Sequence, residues 1–199
     1  LKGRDDSLSH LPIKLAALAC LGSMYESLGR LVGRSYEETF HHLSKWIRNA
    51  ESQGRAEIMN VLSKMVSGLG SGASSIYKEL YKILKAHMTD RVMSVRVATI
   101  NCLATLVPEY TFLYTSELES ISTMCFKALE SSNYEVRMAV AQLFAVLFTM
   151  AQGIRKGNNT GIHCKPQTLS TSVSKTVSTE ELFNILSLGF LRGGIGGFL

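Results

Sequence analysis

The chain reads as an all-α protein, an α-solenoid of stacked antiparallel helix pairs, and three observations carry that expectation. Apolar residues recur at three- and four-residue steps through almost the whole sequence, the spacing that lines one face of a helix. No run alternates apolar and polar with period two between turn signals, so no strand is expected. One apolar-and-basic pattern returns at a fixed interval, with Arg137 standing 41 residues after Arg96. Composition agrees: 199 residues, 46% hydrophobic and 19% charged, are too apolar for a disordered tail. Three prolines and 16 glycines exclude collagen-like and proline-rich chains. A chain of this size buries about 70% of its unfolded surface and needs no staple.

The first helix is expected over 11–28, where Leu15, Leu18, Leu21, Tyr25 and Leu28 share a face. The second, 35–50, presents Phe40, Leu43, Trp46 and Ile47, with Ser35 as N-cap and Glu38 three residues on, the pattern of a capping box. The third, 53–69, carries Ile58, Leu62, Met65, Val66 and Leu69 and stops at a Gly/Ser loop over 70–74. Further helices follow at 75–88, 92–106, 116–130 and 134–151, and Pro108 closes the fifth of these seven. The longest apolar stretch, 139–151, is interrupted by Gln142 and reads as too short to span a bilayer.

The repeat decides what kind of helical protein this is. Val95-Arg96-Val97-Ala98 aligns with Val136-Arg137-Met138-Ala139, and Leu103, Ala104 and Leu106 align with Phe144, Ala145 and Leu147. The same step backwards reaches Arg55, followed by Ile58, Val61, Leu62 and Met65, and then Lys14, followed by Ala17, Cys20, Leu21 and Met24. Lys14, Arg55, Arg96 and Arg137 thus form a basic ladder, one rung per unit. A period of 40–47 residues with two helices per unit falls in the HEAT or armadillo range. Asp90-x4-Val95-Arg96-x-Ala98 resembles the HEAT signature, in which Asp and Arg link successive inter-helix turns. The ladder is expected to bond helix-end carbonyls or the Asp of a neighbouring unit, and neighbouring pairs to stack into one continuous core.

The pattern stops at 153–177. Gly153, Gly157 and Gly161 mark a polar, turn-rich stretch, and a Ser/Thr tract runs from Thr168 to Thr179. Three parts are therefore expected: a repeat array of about three and a half units over 1–152, a flexible Ser/Thr-rich insertion over 153–177, and the first helix of a truncated further repeat over 178–199, with a Gly-rich end. Ser178 or Thr179 caps that helix, and Glu180 and Glu181 occupy its first turn. The start at Leu1 without Met, no secretory leader pattern, and an end inside an apolar stretch read as a fragment.

Little in the chain looks like chemistry. The net charge of +5 is scattered singly, Arg155-Lys156 being the densest cluster, so a phosphate-binding stripe is not expected. Cys20, Cys102, Cys125 and Cys164 show no C-x-x-C pairing, and three lie in apolar stretches as small hydrophobes, which reads as a reducing, cytoplasmic compartment. The sequon Asn158-Asn159-Thr160 then goes unused. His41-His42 point about 100° apart on a helix and cannot share a metal, and His163-Cys164 lacks a second ligand pair. Asp5-Asp6, Glu37-Glu38 and Glu180-Glu181 sit near helix starts, where the macrodipole accounts for them. Gly193-Gly194-Ile195-Gly196-Gly197 follows a helix and lacks the phosphate-loop lysine. No catalytic, metal-binding or cofactor-binding residue is therefore assigned and no small-molecule substrate is expected.

Several blocks go beyond generic repeat patterning. Leu11-Pro12-x-Lys14-Leu15-Ala16-Ala17-x-Ala19-Cys20-x-Gly22, Ala50-Glu51-Ser52-Gln53-Gly54-Arg55, Phe126-Lys127-Ala128-Leu129-Glu130-x-Ser132-Asn133-Tyr134 and Gly189-Phe190-Leu191-Arg192-Gly193-Gly194 resemble the HEAT repeat-containing protein 5 family. The resemblance covers roughly 11–151 and 178–194, departs at the insertion, and would make this chain a piece of the N-terminal half of a very long protein. It implies a non-catalytic scaffold in membrane traffic at the trans-Golgi network and endosomes. The implied partners are clathrin-adaptor accessory proteins and the heterotetrameric adaptor of clathrin coats. Membrane association would be peripheral and only through those partners. The alternative from composition is a HEAT module that binds nucleic acid or another anionic partner through its basic surface. A third, a hydrolase with dispersed residues, would need a base from His10, His41, His42 or His87.

Overall fold

The computed structural model describes residues 10–153 and 177–192. The expectations placed on Asp5-Asp6, Arg155-Lys156, the sequon, His163-Cys164, most of the insertion and the Gly-rich end lie outside the described residues. Among those described there is no strand. The helices are α1 (Leu11–Leu28), α2 (Ser35–Trp46), α3 (Ser52–Leu69), α4 (Tyr77–His87), α5 (Met93–Leu106), α6 (Phe112–Thr115), α7 (Leu118–Leu129), α8 (Tyr134–Ala151) and α9 (Thr179–Arg192), with 3-10 turns at Gly29–Val32 and Gly70–Ile76.

Local chemistry sets most of these ends. Gly29 and Gly70 close α1 and α3 alike, each at φ 51°, with their N–H groups donating back to Tyr25 and Val66 carbonyls; that left-handed region suits glycine. Asn133 Oδ1 accepts from Val136 N (3.0 Å) and starts α8, and Ser178 Oγ accepts from Glu181 N (3.2 Å) at α9. The capping box expected at Ser35 is not formed. Ser35 lies inside α2 after Arg34, its Oγ donates to Val32 O (2.9 Å), and Glu38 instead faces His42 at 3.7 Å.

The long helices pack each on the next, α1 on α3, α3 on α5 and α5 on α8, while α2, α4 and α7 lie against the long helix that follows each of them. α9 packs on α7. One cluster of buried apolar residues runs from Leu18 to Leu182, with Ile58, Leu62, Met65, Leu103, Leu106 and Leu147 removed from solvent altogether. Burial of such side chains is worth about 1.5–3 kcal/mol each. The α1–α3 crossing is tight because glycine permits it: a Cβ on Gly68 would stand 2.9 Å from the Tyr25 carbonyl carbon, and one on Gly22 would meet Lys64 at 3.0 Å.

By length and composition α8 could cross a bilayer, with 18 residues and a mean hydropathy of 1.3. This corrects the length argument drawn from 139–151, since the helix begins at Tyr134. Packing accounts for its apolarity: Val136, Val140, Leu143 and Leu147 are buried, and α8 rests on α5 and α7. A second correction concerns cysteine. Cys102 and Cys125 are buried, as small hydrophobes should be, but Cys20 is exposed, because no helix among the described residues covers that side of α1.

Candidate interaction surfaces

The basic ladder has four different environments. Arg55, in the first turn of α3, donates through Nη1 to Ala50 O (3.0 Å) and through Nη2 to Asp90 Oδ1 (3.3 Å), with Oδ2 also at 3.3 Å. Asp90 accepts in addition from Val92 N (2.9 Å), so one carboxylate both turns the chain into α5 and holds Arg55. Arg96, in α5, donates through Nε to Asp90 O (2.6 Å) and through Nη1 to Ala128 O (3.0 Å) and Glu130 O (3.1 Å). It thereby ties the chain after α4 to the end of α7, and charged donors on otherwise unused carbonyls make strong bonds. Arg137 is exposed and, among the described residues, its side chain reaches only Ser132 O (3.0 Å), just ahead of its own helix. Lys14 is exposed, and no described residue bonds its side chain.

A second polar seam runs along the shorter helices. Tyr36 OH lies 3.0 Å from Ser75 Oγ, which also donates to Glu37 Oε1 (3.0 Å). That hydroxyl and, after it, Arg34 hold the Glu37 carboxyl below its ordinary value. Tyr81 OH donates to Glu117 Oε2 (2.7 Å), joined by Lys85 Nζ at 3.2 Å. Glu117 is lowered, first by Tyr81 and then by Lys85, while burial and Glu117 raise the Tyr81 phenol. The long helices are joined by Lys64 Nζ to Ser23 Oγ (3.4 Å) and the Ser63–Thr105 hydroxyl pair (3.0 Å), and the two 3-10 turns by Arg30 Nη2 to Ser71 Oγ (3.1 Å). Sequence reading missed this seam; its signal, Tyr, Ser and Glu near helix starts, is too common to single out.

His10, His41 and His42 are exposed, and the His87 ring nitrogen Nδ1 is engaged by Ile83 O at 2.8 Å. Burial raises both Cys102 and Cys125 to about 12, which keeps them as thiols. Among the described residues no three of His, Cys, Asp and Glu gather as a metal site. A groove of about 470 Å³ lies between α7 and α9, and Phe126, Ile185, Leu188, Glu119 and Lys127 are among the residues that line it. Phe183 and Leu191 of α9, and Ile13, Met24 and Leu28 of α1, leave apolar surface open at the two ends of the row.

No family model matches the chain, and no solved structure does. Over 146 residues, 70% of its length, it is 29% identical to Protein SWEETIE of Arabidopsis thaliana. The matched stretch is 6% of that relative, so the chain corresponds to a small part of a far longer protein.

Proposed function

We propose that this chain is a segment of a HEAT-like α-solenoid with a 41-residue period, acting as a non-catalytic scaffold that binds protein partners in vesicle traffic. The observation that carries the solenoid is a register of burial. Ile58, Val61 and Met65 of α3 correspond at 41-residue steps to Thr99, Cys102 and Leu106 of α5 and to Val140, Leu143 and Leu147 of α8. All nine are 2% exposed or less. The shorter helices keep the same step: Tyr36, Phe40, Leu43 and Ile47 recur as Tyr77, Tyr81, Leu84 and Met88, then as Leu118, Ser122, Cys125 and Leu129, all buried. Bonds between Arg30 and Ser71 and between Ser23 and Lys64 also join positions 41 apart. Stacked units that contact only their neighbours produce this regularity.

The trafficking role rests on the resemblance to the HEAT repeat-containing protein 5 family, and localisation at the trans-Golgi network and endosomes comes with it. The solvent ridge favours a protein over nucleic acid: Asn60, Asn101 and Gln142, again in register, are exposed neutral amides rather than a row of cations. The test is retention of purified clathrin-adaptor accessory proteins on the immobilised chain. Retention supports the scaffold reading. Failure with this chain, alongside retention by the longer protein, moves the site elsewhere, and failure with both removes the trafficking assignment. Filter binding at about 50 mM salt, where phosphate contacts are strongest, checks the nucleic-acid alternative.

A further inference from the structure

We infer that α7 carries a seat for an amphipathic helix, and that α9 fills it as a displaceable strap which the helix of a protein partner replaces. The inference gives the scaffold reading a surface and a partner chemistry, and it rests on that reading only for its use by a partner. Of the helices longer than ten residues, α9 is the most lightly buried. A single described side chain, Leu182, is buried, where α4 buries four in eleven residues and α7 six in twelve. Phe183 and Leu191 are 64% and 68% exposed. α9 packs on α7, and Thr179 Oγ1 at its start accepts from Gln152 Nε2 at 3.0 Å. A helix of 14 residues is marginal by itself, so the contact with α7 keeps it formed. Segments with few buried contacts open at a fraction of the global unfolding free energy. α9 therefore leaves α7 while α1–α8 stay folded.

The present occupant shows what the seat accepts. Leu182, Ile185, Leu186 and Gly189 are the positions of α9 turned towards the body, Leu182 buried and the other three partly so. They stand at i, i+3, i+4 and i+7, one helix face, the pattern by which an amphipathic helix lies in a groove. The last of the four has to be small, because a Cβ on Gly189 would run into the Phe126 ring. Phe126 is flanked in turn by Phe144 at 5.5 Å, so the seat continues from α7 on to α8. The fit of α9 is incomplete: the groove of about 470 Å³ remains between the two helices, and unfilled space forfeits dispersion contacts. Glu119 and Glu130 outnumber Lys127 along that groove. A basic residue on the incoming helix, which α9 lacks before Arg192, complements them. The partner is thus an amphipathic helix with three aliphatic residues and a small one on its inward face and a cation beside them.

The probe is the α9 sequence itself, a dye-labelled synthetic peptide of residues 177–192, titrated by fluorescence anisotropy against full-length chains. Gly189→Ala and Leu182→Asp release the chain's own α9 by two routes, one by a clash with Phe126 and one by removing its buried anchor. A tethered segment competes at about millimolar effective concentration, so the parent chain is expected to bind the peptide at least about tenfold more weakly than either released chain. A peptide carrying Gly189→Ala should bind none of them. In the parent chain, α9 amides should exchange together and at least about tenfold faster than those of α3 and α5. Equal binding by parent and released chains, no binding by either released chain, or undiminished binding after Phe126→Ala is added overturns the seat. Amides of α9 as slow as those of α3, or global unfolding of both released chains, overturns the strap. Peptide capture without retention of adaptor proteins rejects the trafficking role alone, and retention without capture rejects the seat alone.

Discussion

Two glycines in one helix should respond to the same substitution with opposite signs. Alanine at Gly68 and at Gly54 carries the same intrinsic gain, up to about 1 kcal/mol for a glycine replaced in a helix. The surroundings differ. At Gly54 the new Cβ meets only the Ala50 methyl, at 3.4 Å, an ordinary contact. At Gly68 it would stand 2.9 Å from the Tyr25 carbonyl carbon, 3.1 Å from Glu26 Cα, and closer still to the Tyr25 carbonyl oxygen. Carbon atoms settle at about 3.5–4.0 Å, so the last turn of α1 must retreat by about 1 Å. Backbone cannot swing aside as a side chain can, which places the cost at the upper end of about 1–3 kcal/mol for overpacking. The net expectation is a loss of about 2 kcal/mol for Gly68→Ala, or about 4–8 °C in melting temperature for a chain of this size. Gly54→Ala should gain about 0.5 kcal/mol. Thermal unfolding followed by far-UV circular dichroism measures both. A Gly68→Ala protein as stable as the parent would refute the close approach of α1 and α3.

Three further outcomes follow from the seams and ends. Alanine along the ladder should be graded: about 2–4 kcal/mol at Arg96, where three carbonyls lose a charged donor, about 1–2 at Arg55, and within about 0.5 at exposed Arg137 and Lys14. Urea unfolding of the four variants checks this, and equal losses would contradict the geometry. Gly189→Ala would drive its methyl into the Phe126 ring, which is flanked by Phe144 at 5.5 Å and Phe190 at 5.3 Å. Faster amide exchange confined to α9 and its contact with α7 is expected, and unchanged exchange there would sink it. Glu37 and Glu117 have folded pKa values below the ordinary carboxylate value of about 4.3. Their stabilisation is complete above that value and lost as pH falls through the lowered folded pKa. Glu117→Gln should flatten the acid limb of a stability–pH profile below about pH 4, and an unaltered limb would remove Glu117 from it.

The helical periodicity was strong enough to place α1 and α8 to the residue, because long apolar faces bounded by Pro12, Gly29 and Asn133 leave little freedom. It failed where elements are too short for any spacing to recur: the turn Gly29–Val32 and α6, each four residues long, show no face to read. It also misassigned Ser35, since a serine before an apolar run is equally able to stand inside the first turn and bond backwards to Val32 O. Trp46, read with the apolar face of α2, is 37% exposed, and the buried residue there is Ile47. Four basic residues at 41-residue intervals were visible in the sequence. Their unequal bonding was not, because it depends on which carbonyls three-dimensional packing leaves within reach: Arg96 spans two turns while Arg137 reaches one.

The junction of α8 with α9 has a consequence of its own. Val177 N donates to Ala151 O (3.3 Å), and Gln152 Nε2 donates to Thr179 Oγ1 (3.0 Å). Residues 151–152 and 177–179 thus stand side by side, and α9 is held at its first residue by the end of α8 as well as along its length by α7. A change that frays the last turn of α8 is therefore passed to the start of α9.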